Sequence, residues 1–221
     1  MVKFDIIAHH ADFVVAYKPS GMSFHSENEA GFVALLEKQL DTSLYPVHRL
    51  DKVTSGLLVL ATSSDAAREL TTLFTERLIN KFYLALITDK PKKKQGWIKG
   101  DIAKSRRGTF KLLKTQENPA ITRFYSVSVQ AGLRACLMKP FSGKTHQLRV
   151  ALKSLSAPIL GDESYGGSDS DRVYLHAFYI AFDWHGEHMS YSAIPKEGEH
   201  FMHLLKHDVF ISWQQPEQLE W

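Results

Sequence analysis

The sequence predicts an α+β fold: a mixed, mostly antiparallel sheet flanked by helices. Three observations predict it. Short segments rich in β-branched and aromatic residues recur along the 221-residue chain. Helical patterns fall between some of them without the regular strand–helix–strand alternation of a parallel sheet. No internal repeat, low-complexity tract or linker interrupts the chain, so residues 1–221 are expected to form a single domain.

Residues 4–8 and 12–17 read as strands, the second built on Phe13-Val14-Val15-Ala16-Tyr17. Lys18-Pro19-Ser20-Gly21 then breaks the chain. Residues 31–40 predict a short helix, with Phe32, Leu35, Leu36 and Leu40 at helical spacing. The apolar run 56–61 is strand-sized and reads as buried. Residues 64–78 give the clearest helix: Ser64 can cap it, Asp65 sits in its first turn, and Ala67, Leu70, Phe74 and Leu78 form one stripe. Residues 81–87 alternate like a strand, with Phe82, Leu84 and Leu86 against Tyr83, Ala85 and Ile87. Residues 97–103, 121–129 and 133–138 are further strand candidates. Residues 145–155 predict a helix with Leu148, Leu152 and Leu155 on one side, Arg149 lying at that side's edge or turned toward a cleft. Strands over 173–182 and 189–193 and a closing helix over 197–205 complete the expectation.

Composition narrows the class. Hydrophobic residues make up 44% and charged residues 23%, ordinary for a soluble globular chain. No run approaches the ~20 apolar residues of a membrane-spanning helix, and Met1-Val2-Lys3-Phe4-Asp5 lacks the layout of a secretory signal. The single cysteine, Cys136, rules out an internal disulfide and suits a reducing compartment, so a cytoplasmic location is expected; a monomer is a separate expectation. Cys136 lies in the apolar stretch 133–138 and reads as core.

The net charge of +3 says little, but its distribution says more. Residues 90–114 hold Lys90, Lys92, Lys93, Lys94, Lys99, Lys104, Arg106, Arg107, Lys111 and Lys114 against the single acid Asp101. The strip carries +9, which leaves −6 for the rest of a chain totalling +3. Such a strip suits a polyanion; the plainer reading is a solvated, mobile insertion. The 11 histidines include His200, His203 and His207 on one face of the last predicted helix, and His185 close to His188. That spacing allows a metal site, but no Asp, Glu or Cys pattern completes it, and solvated histidines are expected.

Two segments concentrate chemistry. Tyr45-Pro46-Val47-His48-Arg49-Leu50-Asp51-Lys52-Val53-Thr54-Ser55-Gly56 sets His, Arg, Asp and Lys within five residues at the mouth of a buried strand. Charges there are costly unless paired; a polar turn with a salt bridge is the alternative. In Ser142-Gly143-Lys144-Thr145-His146-Gln147-Leu148-Arg149 a Gly-containing turn opens a helix, with Thr145 as a plausible cap. Such a start suits an anion, toward which Lys144 can add charge; an ordinary capped helix is the alternative. Pro158 to Gly167 is a turn-rich polar loop that reads as scaffold.

Taken together and in order, these blocks resemble the RluA-type pseudouridine synthases, which isomerise uridine in RNA. The resemblance starts at Tyr17-Lys18-Pro19-Ser20-Gly21-Met22 and runs through His48-Arg49-Leu50-Asp51 with Thr54-Ser55-Gly56, then Lys81-Phe82-Tyr83-Leu84-Ala85. It continues through 143–149 and Gly161-Asp162 to Leu175-His176-Ala177. It implies the pseudouridine synthase catalytic fold, no cofactor, and structured RNA (transfer RNA or large-subunit ribosomal RNA) as substrate. It makes Asp51 the catalytic aspartate, Tyr83 the tyrosine that packs on the target base and can help remove its C5 proton, and Arg149 the arginine that pairs with the aspartate. Arg49 matches a residue that fills the gap left by a flipped base. Arg49, His48, Lys92, Lys93, Lys94, Arg106, Arg107 and Lys144 are the expected RNA contacts. The sequence departs from the family at Lys144, usually Arg, at Ala151, usually His, and at Tyr17, usually Asn; these departures bear on which RNA is bound. With 50 residues before Asp51, a form without the small N-terminal RNA-binding domain of many relatives is expected.

Two other readings remain at this point. A hydrolytic N-glycosidase acting on RNA would want a second carboxylate, for which Asp162 and Glu163 are the candidates. A catalytically silent RNA-binding protein would have little need of Asp51, Tyr83 and Arg149 together.

Overall fold

The structure is a computed structural model that describes residues 3–26 and 29–221. Met1 and Val2, part of the N-terminus read for a secretory signal, lie outside the described residues. In chain order the elements are β1 (Ile6–His9), β2 (Phe13–Lys18), α1 (Phe32–Leu40), β3 (Tyr45–Pro46), β4 (Ser55–Ala61) and α2 (Ser64–Thr75). Then follow β5 (Asn80–Ile87), β6 (Gln95–Gly100), β7 (Ile102–Lys104), β8 (Phe110–Leu112), β9 (Ala120–Gln130) and β10 (Leu133–Pro140). The chain closes with α3 (Gln147–Ser154), β11 (Leu175–Trp184), β12 (Glu187–Ser192), α4 (Glu199–Leu205) and α5 (Asp208–Trp213). This is the α+β class with a mostly antiparallel sheet that the sequence predicts. By its contacts the chain divides into two units, Met1–Asn80 with Ala177–Ile194, and Lys81–His176 with Pro195–Trp221.

In the first unit β1, β2, β4 and β11 lie side by side, with β12 on β11 and β3 on β4. β2 and β4 pair antiparallel from Phe13↔Ala61 to Lys18↔Gly56. Alternation then puts Phe13, Val15 and Tyr17 on one face with Leu57, Val59 and Ala61, where they join Ile180, Phe182 and Trp184 in one buried cluster. Ala66 and Leu70 of α2 complete it, and Ala67 and Phe74 pack at its edge. Leu78, expected in the same stripe, is 57% exposed. The helix ends at Thr75, and Arg77 turns into the left-handed region (φ 62°), which takes Leu78 off the stripe. The cap of α2 also differs by one residue: Ser63, in extended backbone, accepts from the Ala66 N–H, and Ser64 is the first helical residue.

In the second unit β5, β10, β9 and β6 lie side by side in antiparallel pairs, and β7 and β8 form a separate two-stranded hairpin. The strand expected over 97–103 therefore breaks in two. Asp101 turns the chain: its N–H donates to Thr115 O, and its carbonyl accepts from Leu113 N–H. The basic strip is thus folded into β6 and the hairpin. Cys136 is fully buried on β10, where desolvation pushes its thiol up to about 12, consistent with plain core. The closing helix ends at Leu205, and His207 caps a further helix, α5, through its Nδ1, which accepts from Val209 N–H. The expectation of His200, His203 and His207 on one helical face fails for that reason.

Gly56 opens β4 with φ +111°, and a Cβ built on it would lie 2.2 Å from Ala177 O. Both backbone conformation and space demand glycine there. Gly56→Ala is expected to destabilise the protein by more than about 2 kcal/mol, read as a lower urea midpoint at unchanged slope; an unchanged midpoint would contradict the packing described.

Candidate active site

Residues 47–54 connect β3 to β4 and carry Asp51. The shape of this loop is set from outside it. Lys18, the last residue of β2, is fully buried. Its Nζ donates to the carbonyl oxygens of Pro19 (2.9 Å), Lys52 (3.2 Å) and Thr54 (2.9 Å). An ammonium has three donors, and a buried charge is tolerated only when such donors are satisfied. Ser20 Oγ adds a bond to Val53 O at 2.8 Å, and Gly21 N–H one to Lys52 O at 2.9 Å. Thr54 N–H donates to Asp51 O at 3.0 Å and closes the turn. Leu50 is buried beneath it, Asp51 is half-buried, and Arg49 and Lys52 are exposed.

His48 faces inward. Its Nε2 accepts from Val59 N–H at 2.9 Å, and its ring stacks on Phe74 at 4.4 Å and 22°. It ties the loop to β4 and α2. Lys18 and Ser20 are the anchors that sequence reasoning assigned no role. The available signal was a lysine closing an otherwise apolar strand.

In the second unit Tyr83 lies on β5 opposite Met138, half-buried. Lys81, two residues earlier and so on the same face, is also half-buried, and desolvation pulls its ammonium down to about 8. α3 begins two residues later than expected, and Thr145 does not cap it. His146, in the left-handed conformation (φ 54°), occupies the cap position without a side-chain bond to the helix. The turn is held instead by the buried Gln147. Its Oε1 accepts from Ser142 Oγ (2.8 Å) and Lys144 N–H (3.0 Å), and its Nε2 donates to Ile121 O and Thr122 Oγ1 (both 3.0 Å).

Arg149 is buried, and its Nε and Nη2 donate to the two carboxylate oxygens of Asp162 at 2.7 and 2.8 Å. This is the bidentate fork of a guanidinium on a carboxylate, and losing one partner of such a buried pair costs about 3–5 kcal/mol. The guanidinium also lies 4.8 Å from the Tyr165 ring centroid. The Tyr165 hydroxyl accepts from Phe110 N–H (3.0 Å) and bonds His146 Nδ1 (2.8 Å), tying the hairpin to the start of α3. The loop at Gly161 is the scaffold of this pair: a Cβ on Gly161, whose φ is +80°, would lie 1.8 Å from Arg172 O.

All ten basic residues of the strip are exposed. Of these, Lys92, Lys93 and Lys94 precede β6, whereas Arg106 and Arg107 lie at the tip of the β7–β8 hairpin. Lys92 N–H donates to Leu155 O at the end of α3. Lys144 Nζ donates to Asn118 Oδ1 at 2.9 Å. Among the described residues no group of three or more His, Cys, Asp or Glu is arranged to hold a metal ion, and no helix is long and apolar enough to cross a membrane.

Comparison with known proteins gives a consistent result. The family described as RNA pseudouridylate synthase matches residues 12–154. The chain is 48% identical to an uncharacterized RNA pseudouridine synthase of Haemophilus influenzae, over 90% of each chain. It is 31% identical to tRNA pseudouridine synthase C of Vibrio parahaemolyticus, over 82% of this chain and 85% of that one. Among solved structures it is similar to human RNA Pseudouridylate Synthase Domain Containing 1, with a TM-score of 0.74 and 26% identity over 86% of this chain and 83% of that one.

Two outcomes follow from the geometry. Lys18→Met removes the ammonium and leaves three carbonyls without its donors, so a loss of about 2–4 kcal/mol is expected in urea unfolding; wild-type stability would contradict the anchoring. For Lys81 the folded state holds its proton up to about 8 and the unfolded state up to 10.5. Below both values the two states are equally protonated; between them the unfolded state binds more protons, so stability gains with pH. The stability of the wild type relative to Lys81→Met should therefore rise between about pH 8 and pH 10.5. A constant difference would show that Lys81 is not desolvated.

Proposed function

The chain belongs to the RNA pseudouridylate synthase family and is an RNA pseudouridine synthase, an isomerase; from that premise we propose that Asp51 carries the reaction on a uridine flipped out of a transfer RNA or large-subunit ribosomal RNA. The observation that supports Asp51 is its setting: a half-buried carboxylate on a loop whose backbone is held by the buried Lys18.

The reaction breaks the N1–C1′ bond, turns the base and joins C5 to C1′; the proton lost from C5 balances the one gained at N1. Nothing is oxidised, and no cofactor is needed. Asp51 must act as a carboxylate, adding to the nucleoside or taking a sugar proton. Burial opposes that charge, and a guanidinium nearby favours it; this is the role proposed for Arg149. Asp162 accepts from two of the nitrogens of Arg149, which fixes the plane of the guanidinium. Tyr83 offers an aromatic face to the base and a hydroxyl for proton transfer at C5. Extruding the base costs a few kcal/mol, which Arg49, exposed beside Asp51, would offset by replacing lost stacking. Lys92, Lys93, Lys94, Arg106, Arg107 and Lys144 would hold phosphates; His48, whose ring is engaged by Val59 and Phe74, would orient the loop. A cytoplasmic location fits the single, buried cysteine.

The hydrolytic reading is weakened by one observation. Asp162, one of its two candidate second carboxylates, is 1% exposed and held by both oxygens on Arg149.

Tritium release from RNA containing C5-labelled uridine tests the proposal. Asp51→Asn should abolish release while RNA binding persists, and turnover by Asp51→Asn would remove Asp51 from the mechanism. Tyr83→Phe should lower kcat by about a hundredfold with little change in KM. Appearance of free uracil would mark a hydrolase instead.

A further inference from the structure

The sheet of the second unit carries a row of cations and rings that the proposed chemistry does not use. Trp97 on β6 pairs with Arg123 on β9, and Arg123 pairs with Lys139 on β10. Residues paired in this way share a face. Tyr83 pairs with Met138, which adjoins Lys139, so strand alternation puts the row on the face opposite Tyr83. β6 is the last strand on this side of the sheet, so Trp97 lies at an edge.

The row is an alternation of charge and π surface. Lys99 Nζ lies 4.8 Å from the Trp97 ring centroid, and the Arg123 guanidinium carbon lies 5.2 Å from it. Phe141 packs on the same indole at 5.1 Å. Lys139 is caged by three rings, Phe82 at 5.1 Å, Phe141 at 5.3 Å and Trp221 at 5.7 Å. Trp221 covers the inner end of the row by packing on Phe82 and Tyr125. At the outer end Trp97 stays 39% exposed, and the exposed Lys93 donates to its carbonyl oxygen. The charge is positive, with Glu217 acting on Lys139.

We propose that this face is a stacking platform for single-stranded RNA, with a nucleobase on the Trp97 indole and backbone phosphates on Lys99 and Arg123. It rests on the RNA substrate argued above and extends it: the strand continues past the β6 edge to the face opposite Tyr83. The argument is one of complementary chemistry. Single-stranded nucleic acid presents flat π faces at intervals along a polyanion, and proteins that hold it combine aromatic platforms with a cationic track. An exposed indole flanked by a guanidinium and an ammonium offers both.

The test uses the full chain and two probes, a fluorescein-labelled 12-mer of uridylate and inorganic polyphosphate, a polyanion without bases. Trp97→Ala should weaken binding of the oligonucleotide by roughly tenfold, and Trp97→Phe should keep most of the affinity. Both variants should bind polyphosphate as the wild type does. Lys99→Ala and Arg123→Ala should weaken both probes and lower the salt slope by about one unit each. Unchanged oligonucleotide binding by Trp97→Ala, with circular dichroism showing a native fold, overturns the platform, as does an equal loss for both probes. Tritium release by Trp97→Ala should show a raised KM and an unchanged kcat. If no variant and no wild-type protein releases tritium, the isomerase mechanism fails, while the two binding probes still decide the platform.

Discussion

A single buried ammonium organises the first unit's contribution to chemistry. Lys18 ends a strand that is otherwise apolar and has no surface of its own. Carbonyls from Pro19, Lys52 and Thr54 converge on it and satisfy its donors there. The dependence runs both ways. A loop lacking regular hydrogen bonds needs its carbonyls satisfied, and the cation that does so fixes where the intervening Asp51 stands. β2 and β4 must pair for this to happen, since Lys18 sits opposite Gly56 in their register. Gly56 in turn admits the close approach of the Ala177 backbone.

The second unit uses a carboxylate where the first uses a lysine. Asp162 holds Arg149 by two bonds, Tyr165 lies against the guanidinium, and Gln147 clamps the turn before α3 to β9. Each of these polar side chains is buried and engaged. Such networks stabilise little relative to an apolar core but specify one geometry when fully satisfied. The loop of Asp51 and the guanidinium of Arg149 are thus each oriented by a buried polar group, Lys18 in one unit and Asp162 in the other.

Much of this was legible in the sequence, because periodicity and glycine placement report on local backbone. The strands at 13–18, 55–61 and 133–140 and the helices at 32–40 and 64–75 lie close to where their patterns predict. What escaped was set by long-range partners. Ser63 and Ser64 are equally good caps on paper, and only the chain's path selects Ser63. The split between β6 and β7 depends on bonds from Asp101 to Leu113 and Thr115. Of the residues proposed for chemistry, Asp51, Tyr83 and Arg149 were singled out through the order of their blocks. Lys18, Gln147 and Asp162 stood inside those same blocks, but their roles as anchors require knowing which carbonyls, hydroxyls and guanidinium the fold brings to them.

The bonds from Lys18 to Lys52 and Thr54 span 34 and 36 residues. The His-Arg-Leu-Asp block is consequently not portable. Transplanting residues 45–60 onto another scaffold would carry every group of this loop proposed to meet the nucleoside, yet leave behind the strand end that gives the loop its shape. A designer reusing this motif would have to move β2 with it, which makes the smallest transferable cassette a strand pair rather than a signature.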